Sequence, residues 1–194
     1  PYGPAGGDRL AGPILYSGGV AMLHIERLSR AYRVRRLTEE DTAQILALCR
    51  SNPLYYRHCG TEPSEADIRQ DMTLLPPGAA PEDKYFLGYF RGDRLAAVLD
   101  LIDGYPSAET AYIGLFMVDG RFSGQGIGSR LVEELLEELK NAGFSRVRLA
   151  YQKANPQSTR FWTKNGFQPV EEKPHPYGTM LVAVRNLSFS ENPC

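Results

Sequence analysis

The clearest pattern in the chain runs from Gly126 to about Ala142. Ile127, Leu131, Leu135 and Leu139 recur at helical spacing, with Val132 and Leu136 beside them. Glu133, Glu134, Glu137 and Glu138 take the opposite face, and Gly143 supplies a C-terminal stop. Upstream, Tyr32 to Leu37 reads as a short strand. Thr38-Glu-Glu-Asp41 then opens a helix with acids at its positive end, and Ile45, Leu46, Leu48 and Cys49 give it an apolar face until Ser51-Asn52-Pro53. Ser64, with Asp67 three residues on, starts a second helix carried by Ile68, Met72 and Leu75 and ended by Pro76-Pro77-Gly78. Three strands follow: Tyr85 to Phe90, Leu95 to Ile102 and Thr110 to Val118. The turn Arg91-Gly92-Asp93 makes the first two an antiparallel hairpin. After the long helix come a strand from Val147 to Tyr151 and a helix that Asn155-Pro156 caps and Asn165-Gly166 ends. Phe167 to Val170 and Thr179 to Val184 form a last hairpin across a Pro-rich loop. The order predicts a mixed α/β fold around one sheet.

Composition narrows the partners. The 194 residues fit one domain, and apolar (42%) and charged (23%) contents are those of a soluble globular chain. A net charge of -1 argues against nucleic acid as the main partner, which needs a basic excess. The arginines at 27, 30, 33, 35 and 36 read as the solvated side of an early strand and its lead-in. Cys49, Cys59 and Cys194 match no disulfide framework or zinc pattern, and His24, His58 and His175 are scattered, so no metal is expected and the cytoplasm is the natural compartment. No apolar run reaches membrane-span length, which argues against a membrane partner. Residues 1–24 read as a poorly ordered extension without a convincing signal peptide, ahead of a single domain over 25–190.

The chemistry is concentrated after Val118. A strand ends, a Gly-rich loop turns, and a long helix begins. Free N–H groups at such a helix end, with the helix dipole behind them, favour an anion. Gly124, Gly126 and Gly128 let a phosphate approach without a Cβ in the way. A tight strand-to-helix turn with no ligand explains the same glycines. No Lys-Ser or Lys-Thr follows them, which excludes a P-loop. The loop follows an antiparallel meander and the next strand carries no acid at its end, which disfavours a dinucleotide site.

Phe116-Met117-Val118, then Ser123 to Gly128, Asn155-Pro156-Gln157-Ser158 and Phe161-Trp162-Thr163-Lys164-Asn165-Gly166-Phe167 together resemble the GNAT (N-acetyltransferase) superfamily over roughly Tyr32 to Asn186. The resemblance implies a mostly antiparallel mixed sheet of about six or seven strands, flanked by about four helices, with a splayed strand pair forming a CoA cleft. It implies acetyl-CoA as co-substrate, with pyrophosphate held by Ser123, Gly124, Gln125, Gly126, Ile127, Gly128 and Ser129. Ser123 stands where the family carries Gln or Arg. Phe116, Met117 and Val118 would pair with the pantetheine arm as an added strand pairs with an open edge, and the Val118 amide would polarise the thioester carbonyl. Asn155, Ser158, Phe161 and Trp162 would line the other side. Asn155 also reads simply as a helix cap, and Phe161 and Phe167 as core.

The implied reaction is direct acyl transfer to a primary amine of a small molecule or peptide, which needs a base for the amine and an acid for the thiolate. The family's base position aligns with Tyr112. Glu109, at the start of the same strand, is a candidate acting through water, with Asp100 and Asp103 as weaker alternatives. The family's acid position is Trp162, whose indole N–H releases no proton. That leaves Tyr151, Tyr112, a water or an unassisted thiolate. Asn52 to Gly60, with Tyr55, Tyr56, Arg57 and His58, reads as a loop at the acceptor site, closed by Tyr105 and Pro106. Family members often form homodimers. The alternative to an enzyme is a module that binds acyl-CoA without turnover.

Overall fold

The computed structural model describes residues 23–176 and 178–187. The extension expected over 1–24 therefore lies outside the described residues except for Leu23 and His24, and Leu23 is buried in the core. Cys194 and the polar tail lie outside them as well.

Seven strands form one sheet in the order β1-β2-β3-β4-β5-β7-β6. They are β1 (Arg33–Arg36), β2 (Lys84–Arg91), β3 (Arg94–Ile102), β4 (Thr110–Val118), β5 (Arg146–Gln152), β6 (Gln168–His175) and β7 (Gly178–Asn186). Only β4 and β5 run parallel, because α4 (Ile127–Asn141) carries the chain between them. The other pairings are antiparallel. The expected β6–β7 hairpin extends further than its apolar residues indicated, running through Pro174 to His175 at the sheet edge, where proline costs no ladder bond.

α1 (Thr42–Arg50) and α3 (Glu65–Thr73) pack on one face of the sheet, where Ile45, Leu48 and Ile68 meet Phe86, Phe90, Val98 and Met117. α4 and α5 (Pro156–Lys164) cover the other, where Leu131, Leu135, Leu139 and Trp162 meet Leu99, Ile113, Val147 and Leu149. The Ser64 cap works as read, whereas the Thr38 side chain makes no cap bond and Asp41 reaches back to Thr38 instead. The Asp41 carboxylate accepts the Thr38 N–H at 2.9 Å, and Ser64 Oγ accepts the Asp67 N–H at 3.2 Å.

Three readings change. Residues 53–59, expected as a loop, form α2 (Pro53–Cys59), with Pro at the first turn and Gly60 left-handed at φ 69° beyond its end. The helices thus number five among the described residues. α3 stops at Thr73, short of Leu75, because Leu74 is already extended ahead of the Pro-Pro step. Glu138, expected toward solvent, is buried: it lies seven residues from Leu131 and three from Leu135, on the core face.

Candidate active site

β4 and β5 pair from Thr110↔Arg146 to Ile113↔Leu149 and then part. From Gly114 onward β4 stays bonded to β3, while β5 continues beside β7. This splay opens an edge of β4. Asp119 donates its N–H to Ala96 O at 2.9 Å, so the bonded rows of the β3–β4 ladder fall at Asp119 and Met117. The backbone groups of Val118 and Phe116 therefore face the opened edge.

A cleft of about 680 Å³ runs along this edge. At one end it is lined by Ser123, Gly124, Gly126, Ile127, Gly128 and Ser129, at the N-terminus of α4. Gly124 and Gly126 are left-handed at φ 76° and 75°, and a Cβ on either would meet nothing within 4 Å. The loop is thus open on the side where an anion would approach. Gln125 points elsewhere, donating to Arg121 O at 3.0 Å, and does not line the cleft. A Cβ at Gly128 would stand 3.1 Å from the Phe161 ring, so this glycine lets α4 pack against α5.

Phe161 and Trp162 line the middle of the cleft. Phe161 stacks on Phe116 with centroids 6.1 Å apart, and Trp162 meets Phe161 and Phe167 edge-on at 4.9 and 5.0 Å. Trp162 and Phe167 are buried, and Phe161 is half-buried with one side on the cleft. Asn155 and Ser158 also line it. The Asn155 side chain caps α5, accepting the N–H groups of Gln157 and Ser158 at 3.1 Å each. The expected cofactor residues thus converge on the cleft, apart from Gln125.

The acid–base readings fare differently. Glu109 does not line the cleft; it is exposed and ion-paired with Arg146 at 3.4 Å. It precedes β4, whose nine residues separate it from the glycine-loop end by roughly 30 Å at the rise of an extended strand. Tyr112 is turned away as well. It packs edge-on against Tyr105 at 5.6 Å, and burial, with Tyr105 beside it, pushes its phenol up to about 12. Tyr105 and Pro106 sit at that same far end and do not close the acceptor side. Asp103 is also outside the cleft.

What faces the acceptor half is a different set. Tyr55 and Tyr56, in mutual edge contact at 5.1 Å, line it from α2. Asp67 and Asp71 line it from α3, His175 from the β6–β7 hairpin, and Asp100 from β3. Asp100 is buried and receives Lys84 Nζ at 2.7 Å. Burial pushes the Asp71 carboxyl up, and the nearby Asp100 adds to the shift. Asp71 carried no signal in the sequence beyond helical spacing: its place in the cleft follows from how α3 packs. Tyr151 lines the cleft beside α5. Burial raises its phenol, opposed by a hydrogen bond from Thr159.

The family model for the acetyltransferase (GNAT) family matches residues 40–167, from the start of α1 to the end of the Phe161–Phe167 segment. The chain belongs to this family. Its fold is shared by solved acetyltransferases at low identity. One from Thermus thermophilus aligns with a TM-score of 0.68 at 24% identity, covering 81% of this chain and 97% of that one. The Salmonella typhimurium acetyl transferase that modifies the N-terminal serine of a 50S ribosomal subunit protein aligns at 0.65 and 20%, covering 83% and 98%. An N-acetyltransferase from Thermoplasma acidophilum, solved in complex with coenzyme A, aligns at 0.54 and 19%, covering 77% and 96%. No curated protein sequence matches the chain. Among the described residues of this GNAT chain, no cluster of three or more His, Cys, Asp or Glu is arranged to hold a metal, and no helix is long and apolar enough to cross a membrane.

Proposed function

We propose that the chain transfers an acetyl group from acetyl-CoA directly to a primary amine of a small molecule or a peptide. The observation that carries this reading is the continuity of one cleft from the glycine loop, along the open edge of β4, to the carboxylates and tyrosines of the acceptor half. The loop amides at the N-terminus of α4 bind the pyrophosphate. The backbone groups of Phe116 and the N–H of Val118, on the opened edge, take the pantetheine arm as a strand takes a partner, and the Val118 N–H polarises the thioester carbonyl. Acetyl-CoA supplies an activated acyl carbon and a thiolate leaving group.

Asp71 receives the proton that the amine gives up. Its raised pKa makes it a better base near neutral pH than an ordinary carboxylate. Tyr151, the phenol that lines the cleft beside α5, returns a proton to the thiolate. Peptide N-termini belong in the acceptor panel because the Salmonella neighbour modifies one. A single catalytic domain over 25–190, working in the cytoplasm, fits this activity.

The test is acetyl-CoA-dependent thiol release across a panel of primary amines, polyamines and peptide N-termini. The reading expects turnover on at least one class. Asp71→Asn is expected to lower kcat/KM by about 10²- to 10⁴-fold, the usual contribution of a general base, and to remove the acidic limb of the pH profile. Because burial raises the Asp71 pKa, that limb should lie above the ordinary carboxylate range in the wild type. No turnover on any acceptor, with acetyl-CoA bound, would overturn the enzyme assignment.

A further inference from the structure

The turn between α1 and α2 is bolted to the end of β4. Asn52 is the residue before α2, where an Asn ordinarily caps the helix with its side-chain oxygen. Here it makes no such cap. Its Nδ2 donates instead to Val118 O at 3.0 Å, Leu48 O at 3.0 Å and Ser51 Oγ at 3.3 Å. Ser51 Oγ in turn donates to Leu48 O at 2.6 Å and accepts the Gly120 N–H at 2.8 Å. The approach is close enough that a Cβ on Gly120 would lie 2.1 Å from Ser51 O. On the other side, the Asp119 N–H is held by Ala96 O. The Val118–Asp119 peptide is therefore pinned at both ends, its carbonyl by the acceptor-side turn and its N–H by β3.

We propose that Asn52 is a positioning residue for acyl transfer: by holding the Val118 carbonyl it sets the direction of the Val118 N–H toward the thioester and ties the placement of the acceptor helix α2 to that amide. The alternation of the ladder turns both backbone groups of Val118 to the same edge, so fixing one orients the other. Removing the Asn52 amide leaves this peptide held only through the Asp119 N–H, free to tilt about that bond, and a donor misplaced by about 1 Å forfeits on the order of 10²-fold in rate. The inference rests on the acetyl-CoA reading of the cleft.

Asn52→Asp separates positioning from folding. Aspartate keeps the size of the side chain, but its carboxylate donates nothing to Val118 O or Leu48 O, so Tm is read beside the kinetics to tell lost stability from lost positioning. Asn52→Ala serves as the second variant. Four quantities are read in each: Tm, kcat, KM for acetyl-CoA, and the infrared stretch of the ¹³C-labelled thioester carbonyl in bound acetyl-CoA. The expected result for Asn52→Asp is a Tm lowered by the lost hydrogen bonds but still a folded protein, a kcat lowered about 10- to 100-fold, a KM changed much less, and a carbonyl stretch returned toward its value in free acetyl-CoA. A wild-type stretch and kcat in both variants would overturn the positioning role while leaving acetyl transfer standing. Failure of the wild-type protein to bind acetyl-CoA would overturn both.

Discussion

Ser123 is one residue at which this chain departs from its family, standing where a Gln or Arg is usual. It lines the cleft, and the neighbouring glycines are open, so in the proposed function backbone amides carry most of the grip on a pyrophosphate. Ser123→Gln adds a donor of the right length. One added hydrogen bond worth about 1 kcal/mol corresponds to roughly fivefold tighter CoA binding, which isothermal titration measures. Gly120 is constrained from the other direction. Gly120→Ala sets a methyl against a backbone carbonyl that has no room to yield, and overpacking of this kind costs about 1–3 kcal/mol, visible as a lower Tm. Neither the Gly120 contact nor the Asn52 bond was legible from sequence, because both join segments far apart in the chain. Gln125 shows the converse: it read as a loop donor to the ligand, yet its amide is spent on Arg121 O.

At the scale of elements, the long helix, the strands bounded by turn residues and the Asn155 cap could all be read from the chain, since each depends on local spacing, turn and capping chemistry. α2 was missed because its tyrosines and cysteine give no helical stripe, although Pro53 and Gly60 bracket it with the usual start and stop. The arginine run near β1 read as a solvated face, yet it does more. Arg35 pairs with the buried Asp41 at 2.7 Å and lies over the Phe90 ring at 4.1 Å, tying β1 to the start of α1. The hydrogen bonds from Arg35 hold the Asp41 carboxyl below its ordinary value, with burial opposing. The folded-state pKa is thus lower than the unfolded one, near 3.9, so the unfolded chain takes up the proton first as the pH falls. The stabilisation is fully present above about pH 4 and is lost as the pH drops through the depressed folded value. Thermal melts of Asp41→Asn should accordingly converge on the wild type in strong acid and lie below it at neutral pH; parallel curves at every pH would contradict the ion pair's contribution.

For the whole molecule, the family and the fold were within reach of the sequence because the glycine loop, the Asn-Pro cap and the aromatic segment lie in order along one stretch. The catalytic groups were not. Tyr112 lies on the expected strand but packs against Tyr105 outside the cleft, and Glu109 precedes that strand at its far end, also outside the cleft. Asp71, the carboxylate proposed as base, comes from a helix whose docking beside the cleft only the tertiary structure reveals. The central claim is that the edge opened between β4 and β5 holds acetyl-CoA. Amide hydrogen exchange, resolved to single residues with and without saturating acetyl-CoA, tests it most directly. The account predicts new protection at Phe116, Val118 and the amides from Gly124 to Gly128, with NAD giving none. Acetyl-CoA that leaves these amides exchanging at their ligand-free rates would contradict it.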